Sequence, residues 1–305
     1  MPTVNLLITG GRGGIGLEVL QAIASEPDIS AVSLSRSELP QGHVLPANTH
    51  HEVGSVLDES LIKQVIERHR ITHIIHAAGA RTRACEADPR LAYESNVLGT
   101  ERLFRAARAS TSVQKVMHFS TAALYGRTDQ TTDETQPHVL FTNYAKTKAA
   151  AEDAAIQHTT GAHFQTIIVR PAFVIGPRNS GALNALVRDA VQQAECRLHF
   201  AERFHLHWAP DLAAATLHLL RSALSAKVEI LHLPGRDCTI HEWVSAVCQA
   251  AASHGIHPRV SISLDPSSWQ PSSLDYSRYE RALGPLPQTD LTTMVRKLIE
   301  KERAS

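Results

Sequence analysis

The sequence predicts an α/β fold in which a doubly wound parallel sheet is joined to a smaller C-terminal domain. Two observations predict it. Apolar strand patterns alternate with amphipathic helical patterns from residue 4 to about residue 170, as a parallel sheet with helices on both faces requires. Beyond Pro177 the alternation loosens, and the helices there are separated by longer irregular stretches. The expected division is residues 1–170 and residues 171–305, with the second part interleaved with the first.

Val4 to Ile8 is a short apolar strand, followed by Thr9-Gly10-Gly11-Arg12-Gly13-Gly14-Ile15-Gly16 and a helical pattern through Leu17, Val19, Leu20 and Ile23. Strand, glycine turn and helix start in this order suit a dinucleotide phosphate. Glycines let the backbone approach the pyrophosphate, and the helix N-terminus offers free N–H groups and a positive dipole end. Gly10, Arg12, Gly13, Gly14, Ile15 and Gly16 are therefore expected to touch a cofactor. The next strand, Ala31 to Leu34, ends in Ser35-Arg36-Ser37, where an NAD site would place a ribose-binding carboxylate. Ser35 and Arg36 stand there instead. A guanidinium suits a 2′-phosphate, and Arg12 is placed to close on the same group, so NADP(H) is expected over NAD.

The pattern repeats. His50–Val53 reads as a strand, Leu61–Ile66 as a helix, and Ile71–His76 as a strand ending in the small-residue turn Ala77-Ala78-Gly79-Ala80, which is expected against the cofactor. One helix is predicted from about Pro89 to Ala109 and carries Asn96. A strand at Lys115–Ser120 leads into Thr121-Ala122-Ala123-Leu124-Tyr125-Gly126. An alanine-rich helix then carries Tyr144 and Lys148, one turn apart on one face. A free phenol has a pKa near 10, and an ammonium held beside it favours the phenolate, which brings proton exchange with a substrate into range. The strand Thr166–Val169 runs into the turn Arg170–Pro177, which includes Pro171. Helices follow at Ala182–Ala194, Leu212–Ser222, Ile240–Ala252 and Leu291–Glu302, with short strands at Ile230–Leu233 and Val260–Ile262. Pro258–Pro287 holds five prolines and reads mainly as loops.

Composition excludes several function classes. Thirty basic residues balance thirty acidic ones, so nothing favours nucleic acid as a partner. No apolar run is long enough for a membrane span, and the N-terminus lacks the basic flank of a signal peptide. The four cysteines, Cys85, Cys196, Cys238 and Cys248, form no close pair and read as reduced thiols of a cytoplasmic protein. Among eighteen histidines only His205 and His207 have a spacing that puts two imidazoles on one strand face, without a nearby carboxylate or cysteine at ligand spacing, so no metal is expected.

Thr9–Gly16, His76–Gly79, Asn96–Thr100, Ser120–Gly126, Tyr144–Lys148 and Arg170–Pro177, taken in that order, resemble the motifs of the extended short-chain dehydrogenase/reductase family, the epimerase/dehydratase superfamily. Asp211-Leu212-Ala213 and Leu283-Gly284 look like its C-terminal landmarks. The resemblance implies a Rossmann domain with a C-terminal substrate-binding domain. It also implies roles: Thr121 bonds the reacting oxygen, Tyr144 is the general acid/base, Lys148 binds the nicotinamide ribose and shifts the tyrosine pKa, and Asn96 supports the proton path. Pro171 joins the expected cofactor contacts.

Departures from the family pattern narrow the function. Its dehydratases carry Asp-Glu after the catalytic threonine, where this chain has Ala122-Ala123, so water elimination lacks its acid and base. The asparagine that many sugar-nucleotide enzymes use to hold the diphosphate is absent from Arg170-Pro171-Ala172-Phe173, and the family's Gly-Asp is here Gly54-Ser55. The expected activity is an NADP(H)-dependent ketoreductase or alcohol dehydrogenase acting on a small metabolite. The alternatives are an NAD-dependent sugar-nucleotide epimerase or keto-sugar reductase, and a non-catalytic nucleotide sensor. Arg81, Arg83 and Arg203 are the visible charged candidates for the substrate region, which spans an Arg81–Cys85 loop and Ala182–Trp208. Surplus alanines on the Tyr144 helix, and apolar residues Leu91, Val97, Leu98, Leu103 and Phe104 on the preceding one, suggest a twofold homodimer.

Overall fold

The computed structural model describes residues 4–38, 44–264 and 271–304. Strand β1 (Val4–Thr9) passes through the glycine turn into helix α1 (Gly14–Ala22). Then come β2 (Ile29–Ser35), β3 (Thr49–Val53), α2 (Glu59–Arg68) and β4 (His73–His76). Two short helices, α3 (Thr82–Ala87) and α4 (Pro89–Ala92), are followed by a π-helical turn at Tyr93–Leu98 that feeds α5 (Gly99–Ala109). β5 (Lys115–Phe119), the two-residue β6 (Thr131–Thr132), α6 (Asn143–Thr159) and β7 (Gln165–Val169) complete the first half.

The second half opens with β8 (Phe173–Ile175) and α7 (Ala182–Val191), then β9 (Cys196–Phe200) and β10 (Arg203–Trp208). Next are α8 (Ala209–Arg221), β11 (Val228–Leu231), β12 (Arg236–Thr239) and α9 (Ile240–Ala252). β13 (Val260–Leu264), β14 (Ser273–Leu274), α10 (Ser277–Leu283) and α11 (Leu291–Arg303) end the chain.

Seven parallel strands form the central sheet in the order β11-β7-β5-β4-β1-β2-β3. Leu6, Leu7 and Ile8 are all fully buried, because helices cover both faces and neither side of the strand meets water. On one face α1 and α8 pack together over Val19, Leu20, Leu219 and Leu220. On the other, α2, α5 and α6 bury Ile62, Leu103, Phe104 and Ala155. A separate core around Leu186, Phe204, Trp243, Val295 and Leu298 lies among α7, β9, β10, α9 and α11. β11 comes from the second half yet pairs with β7 in register Ile230 to Ile168, so the chain crosses back into the sheet after forming part of the smaller layer.

The structure differs from the sequence reading in several places. The Arg81–Cys85 loop is instead the start of α3. The single helix expected from Pro89 to Ala109 is broken by the π turn, whose extra residue per turn no apolar periodicity would reveal. The Arg170–Pro177 turn contains β8, which pairs with β10 in register Val174 to His207. Pro258–Pro287 contains α10, whose Tyr279 is fully buried against the sheet layer; residues 265–270 lie outside the described residues.

Candidate active site

The C-terminal ends of β1, β2, β4 and β5 converge on one rim, where an open parallel sheet binds ligands. Gly10 adopts φ +74°, and an added Cβ there would lie 2.7 Å from the Ala78 amide nitrogen. The turns after β1 and β4 are thus in direct contact, with Ala77 donating its N–H to the Thr9 carbonyl at 3.1 Å. A Cβ on Gly16 would meet the Gly10 carbonyl oxygen at 2.4 Å, so α1 can start this close to the turn only with glycine there. Gly13 is the N-cap of α1 and is exposed. Gly14 and Ile15 begin the helix, with Ile15 half-buried against the core. This glycine cradle at a helix N-terminus, with its backbone close to the turn after β4, fits the pyrophosphate of a nicotinamide dinucleotide.

At the end of β2, Ser35 donates its hydroxyl to the Ser37 carbonyl at 3.0 Å, and Arg12 reaches across to hydrogen-bond the Ser37 hydroxyl. Arg36, between them, is exposed. Arg12 thus bridges the turn after β1 to the end of β2, next to Arg36 in sequence. Ser55, where an aspartate was expected, accepts the Leu57 N–H at 3.1 Å and closes its own turn.

Asn96 sits on the π turn and is fully buried. Its amide oxygen accepts the Ala80 N–H at 2.7 Å, and its Nδ2 donates to the Thr147 hydroxyl at 3.0 Å. It ties the turn after β4 to α6 between Tyr144 and Lys148, and an added Cβ on Gly79 would strike its oxygen at 2.8 Å. Pro171 accepts the Ala122 N–H at 2.9 Å, joining the Thr121 turn to the turn after β7.

Thr121 is the extended cap of a one-turn 3-10 helix, Ala122–Tyr125, and its Oγ accepts the Ala123 N–H at 3.1 Å. Its side chain stands close enough to the Tyr144 phenol to lower that group's pKa, so two of the expected catalytic groups are neighbours. Tyr144 is half-buried, and burial raises its pKa, against a smaller lowering by Thr121. Lys148 was expected to act on that phenol. Its Nζ instead donates to the Phe119 carbonyl at 2.6 Å, with the His118 Nε2 at 3.5 Å. Burial lowers its pKa to about 8. The side chain of an i+4 residue can follow the helix axis or turn to the sheet, and that of Lys148 turns to the sheet.

Sequence reasoning missed the groups that position α6. Glu86, on α3, accepts the N–H of Tyr144 at 3.1 Å and of Asn143 at 3.3 Å, while the Thr142 side chain accepts from Ala145 at 3.0 Å. A carboxylate at a helix N-terminus is favoured by the free donors and by the dipole. One turn beyond Lys148, Glu152 accepts both forks of Arg170 at 2.9 and 2.6 Å, with both side chains buried. Arg170 also donates to the Tyr125 hydroxyl at 2.7 Å. That hydroxyl lies 2.8 Å from His232 Nε2, whose Nδ1 donates to the Asp275 carbonyl at 2.9 Å; the phenol is therefore the donor to Nε2. Burial pushes the Tyr125 pKa up to about 12. The Lys-x-x-x-Glu spacing was visible, but nothing local announced that its acid would pair with Arg170.

Of the charged candidates, Arg81 donates to the Ser180 hydroxyl at 2.9 Å and so links α3 to the segment after β8. Arg83 is exposed, and Arg203 stands at the start of β10 beside Asp237 and Glu242. His205 and His207 share a strand face with rings 5.0 Å apart. Each commits its Nδ1, to Asp237 at 2.7 Å and to the Pro234 carbonyl at 3.1 Å. Among the described residues, His50, Glu52 and His69 bring donor atoms within 4.8 Å of one another. Glu52 there accepts Arg68 on both oxygens and lies 2.6 Å from His69, which reads as an ion-pair cluster at the sheet edge. No helix among the described residues is long and apolar enough to cross a membrane.

Residues 6–231 match the model of the NAD dependent epimerase/dehydratase family. The chain is 32% identical over 194 residues to a 4-hydroxy-2-methyl-3-oxo-4-farnesyl-3,4-dihydroquinoline-1-oxide ketoreductase of Stigmatella aurantiaca, covering 62% of this chain and 56% of that protein. It is 28% identical to an N-acetyl-alpha-D-glucosaminyl-diphospho-ditrans,octacis-undecaprenol 4-epimerase of Escherichia coli O157:H7, covering 61% and 53%. It thus spans about half the length of these two relatives. A mouse dTDP-D-glucose 4,6-dehydratase is 27% identical over 87% of this chain and 84% of its own. In three dimensions the chain is similar to a UDP-glucose 4-epimerase of Thermotoga maritima with UDP-glucose, with TM-score 0.86 at 20% identity and 99% of both chains covered. It is likewise similar to a UDP-glucuronic acid 4-epimerase of Bacillus cereus with UDP-glucuronic acid and NAD, with TM-score 0.88 at 18% identity over 99% of both chains. At these identities the two structures speak for the fold.

Proposed function

The chain belongs to the NAD-dependent epimerase/dehydratase family, and from that premise we propose that it is an NADP(H)-dependent ketoreductase or alcohol dehydrogenase acting on a small metabolite. The enzyme reading rests on Thr121, at the end of β5, standing next to the Tyr144 phenol on the rim that carries the glycine cradle. The choice of NADP(H) rests on Arg12 bonded to Ser37 next to the exposed Arg36, with Ser35 and Arg36 standing where an NAD site places its ribose-binding carboxylate. Ala122 and Ala123 leave water elimination without its acid and base.

When bound, the dinucleotide supplies or accepts the hydride at the substrate carbon. The cradle of Gly10, Gly13, Gly14, Ile15 and Gly16 would hold its pyrophosphate, Arg12, Ser35 and Arg36 its adenosine end, and Ala77, Ala78, Gly79, Pro171 and Lys148 the part nearer the reaction. Thr121 orients the substrate oxygen. Tyr144 gives its phenolic proton to that oxygen as the carbonyl is reduced, and burial keeps the proton on the phenol at neutral pH, the form that reduction needs. Asn96 holds α6 against the turn after β4, so the phenol and the cradle stay in one geometry.

A second reading, an NAD-dependent sugar-nucleotide epimerase or keto-sugar reductase, is favoured by the similarity to the Escherichia coli epimerase. Denaturing the purified protein and identifying any released nucleotide by mass spectrometry separates the two. An epimerase retains NAD, whereas a reductase that exchanges NADP(H) releases little and turns over ketones when NADPH is added.

We also propose a homodimer and a cytoplasmic location. Val97, Leu103 and Phe104 are buried within the chain, but Leu91, Leu98, Ala150 and Ala154 remain partly exposed on the α4–α6 side, with Tyr93 half exposed beside them. The cysteines are free thiols, which suits a reducing compartment.

A further inference from the structure

The segment between β8 and α7 lies across the phosphate turn, although the two are far apart in sequence. A Cβ added to Gly14 would fall 1.5 Å from the Asn179 Oδ1 and 3.2 Å from the Arg178 carbonyl oxygen. The segment is held on both sides. Arg178 donates to Glu18 Oε2 at 3.0 Å, where Glu18 is a buried acid on α1. Arg81 donates to the Ser180 hydroxyl at 2.9 Å and to its carbonyl at 3.3 Å. The Asn179 N–H donates to the Gly176 carbonyl at 3.0 Å, and the Asn184 Nδ2 donates to that same oxygen at 2.9 Å, so the backbone of the segment is fixed from within.

Three buried atoms in this arrangement lack a partner, Asn179 Nδ2, Glu18 Oε1 and Asn184 Oδ1, and the first is the donor among them. Asn179 Nδ2 is buried and makes no hydrogen bond. An unmet amide donor is costly unless something accepts from it. It belongs to a side chain packed against the glycine turn, whose expected ligand is an anion rich in acceptors. Glu18, one helical turn beyond Gly14, is a buried carboxylate, and Arg178 is the cation that offsets it.

Resting on the reading of a nicotinamide dinucleotide site, we propose that Gly176–Ser180 is a latch over the phosphate turn: Asn179 donates Nδ2 to the pyrophosphate, and the Arg178–Glu18 and Ser180–Arg81 contacts hold it there. The latch makes nucleotide affinity depend on the C-terminal half of the chain.

The test is fluorescence titration of the parent and its variants with NADPH, NADH and ADP-ribose, the last carrying the pyrophosphate without nicotinamide. Asn179→Ala is expected to weaken all three by about tenfold, the scale of one hydrogen bond to a charged group. Asn179→Asp should weaken them further, because it sets a carboxylate against the phosphates. Arg178→Ala should also weaken binding by exposing the charge of Glu18, and the Glu18→Gln/Arg178→Ala double variant should recover part of the loss. Thermal unfolding without nucleotide confirms that each variant is folded, and Asn179→Ser replaces any that is not. If folded Asn179→Ala and Asn179→Asp bind all three ligands as the parent does, the latch is overturned while the cofactor reading stands. A parent that binds none of them overturns both.

Discussion

Lys148 donates to the carbonyl of Phe119 at 2.6 Å instead of to the phenol of Tyr144 one turn earlier on the same helix. Without that partner Tyr144 keeps its proton: burial raises its pKa, and the lowering influence of Thr121 is the smaller effect. The phenol is therefore set as a proton donor, and Lys148, lowered to about 8 by its own burial, is a cation that a modest rise in pH discharges.

Tyr144→Phe is expected to cut turnover by about 10²–10⁴ while leaving nucleotide affinity within a few-fold. The ring still packs, and only the exchangeable proton is gone. Steady-state assays and nucleotide titrations on the same preparation decide it; parent-like turnover would remove Tyr144 from the mechanism.

Arg36→Ala should erase most of a preference for NADPH over NADH. A charge-assisted contact to a 2′-phosphate contributes about 1.5–3 kcal/mol, roughly ten- to a hundredfold in affinity. Equal affinities of the parent for both nucleotides would sink the NADP(H) assignment and favour the epimerase reading.

Glu152→Gln leaves Arg170 charged and unpaired in the interior, which costs about 3–5 kcal/mol. The urea midpoint should fall accordingly. Glu152 also raises the Lys148 pKa against the larger effect of burial, so the variant should lose the Lys148 proton at lower pH than the parent. A high-pH limb of nucleotide binding that does not move would show that the two side chains are uncoupled.

Acid should destabilise the fold well before its carboxylates titrate. Burial lowers the pKa of His76 to about 3 and of His73 and His232 to about 4, against 6.5 when free. The unfolded chain therefore binds more protons than the folded one below pH 6.5. The stability these neutral imidazoles preserve is complete above that pH and declines as pH falls toward their folded values, by about 1.4 kcal/mol per unit for each. Urea midpoints at pH 7 and pH 5 should differ markedly, and identical midpoints would contradict the buried neutral state.

Size-exclusion chromatography with light scattering should give twice the mass of the 33.3 kDa chain. Ala154→Arg, on the partly exposed side of α6, should return it to one chain mass. A monomeric parent at micromolar concentration would refute the dimer.

The parallel sheet and the glycine cradle were legible because their signals are local: apolar runs for strands buried on both faces, and glycines where a Cβ would strike backbone. Tyr144 and Lys148 were singled out by their one-turn spacing, and Thr121 through the family resemblance. The partners of α6 were not. Glu86 lay between the Arg81–Cys85 loop and the helix expected from Pro89, in no predicted element, since six residues carry too little periodicity to show a helix. The carbonyl of Phe119 has no signature in residue identity, because every residue has one. Asn179 was hidden because Gly14, its neighbour in the fold, lies far away in sequence.

The return of β11 to the sheet limits how this chain could be recombined. A segment ending at residue 170 would carry the glycine cradle, Thr121, Tyr144 and Lys148, yet it would leave β7 as an unpaired edge and strip α8 from the face of α1. Substrate-binding portions from relatives therefore cannot be exchanged at a single junction. A working chimaera has to keep α8 and β11 with the cofactor half and splice new sequence on both sides of them, and any such graft that replaces Gly176–Ser180 also replaces the residues resting on the phosphate turn.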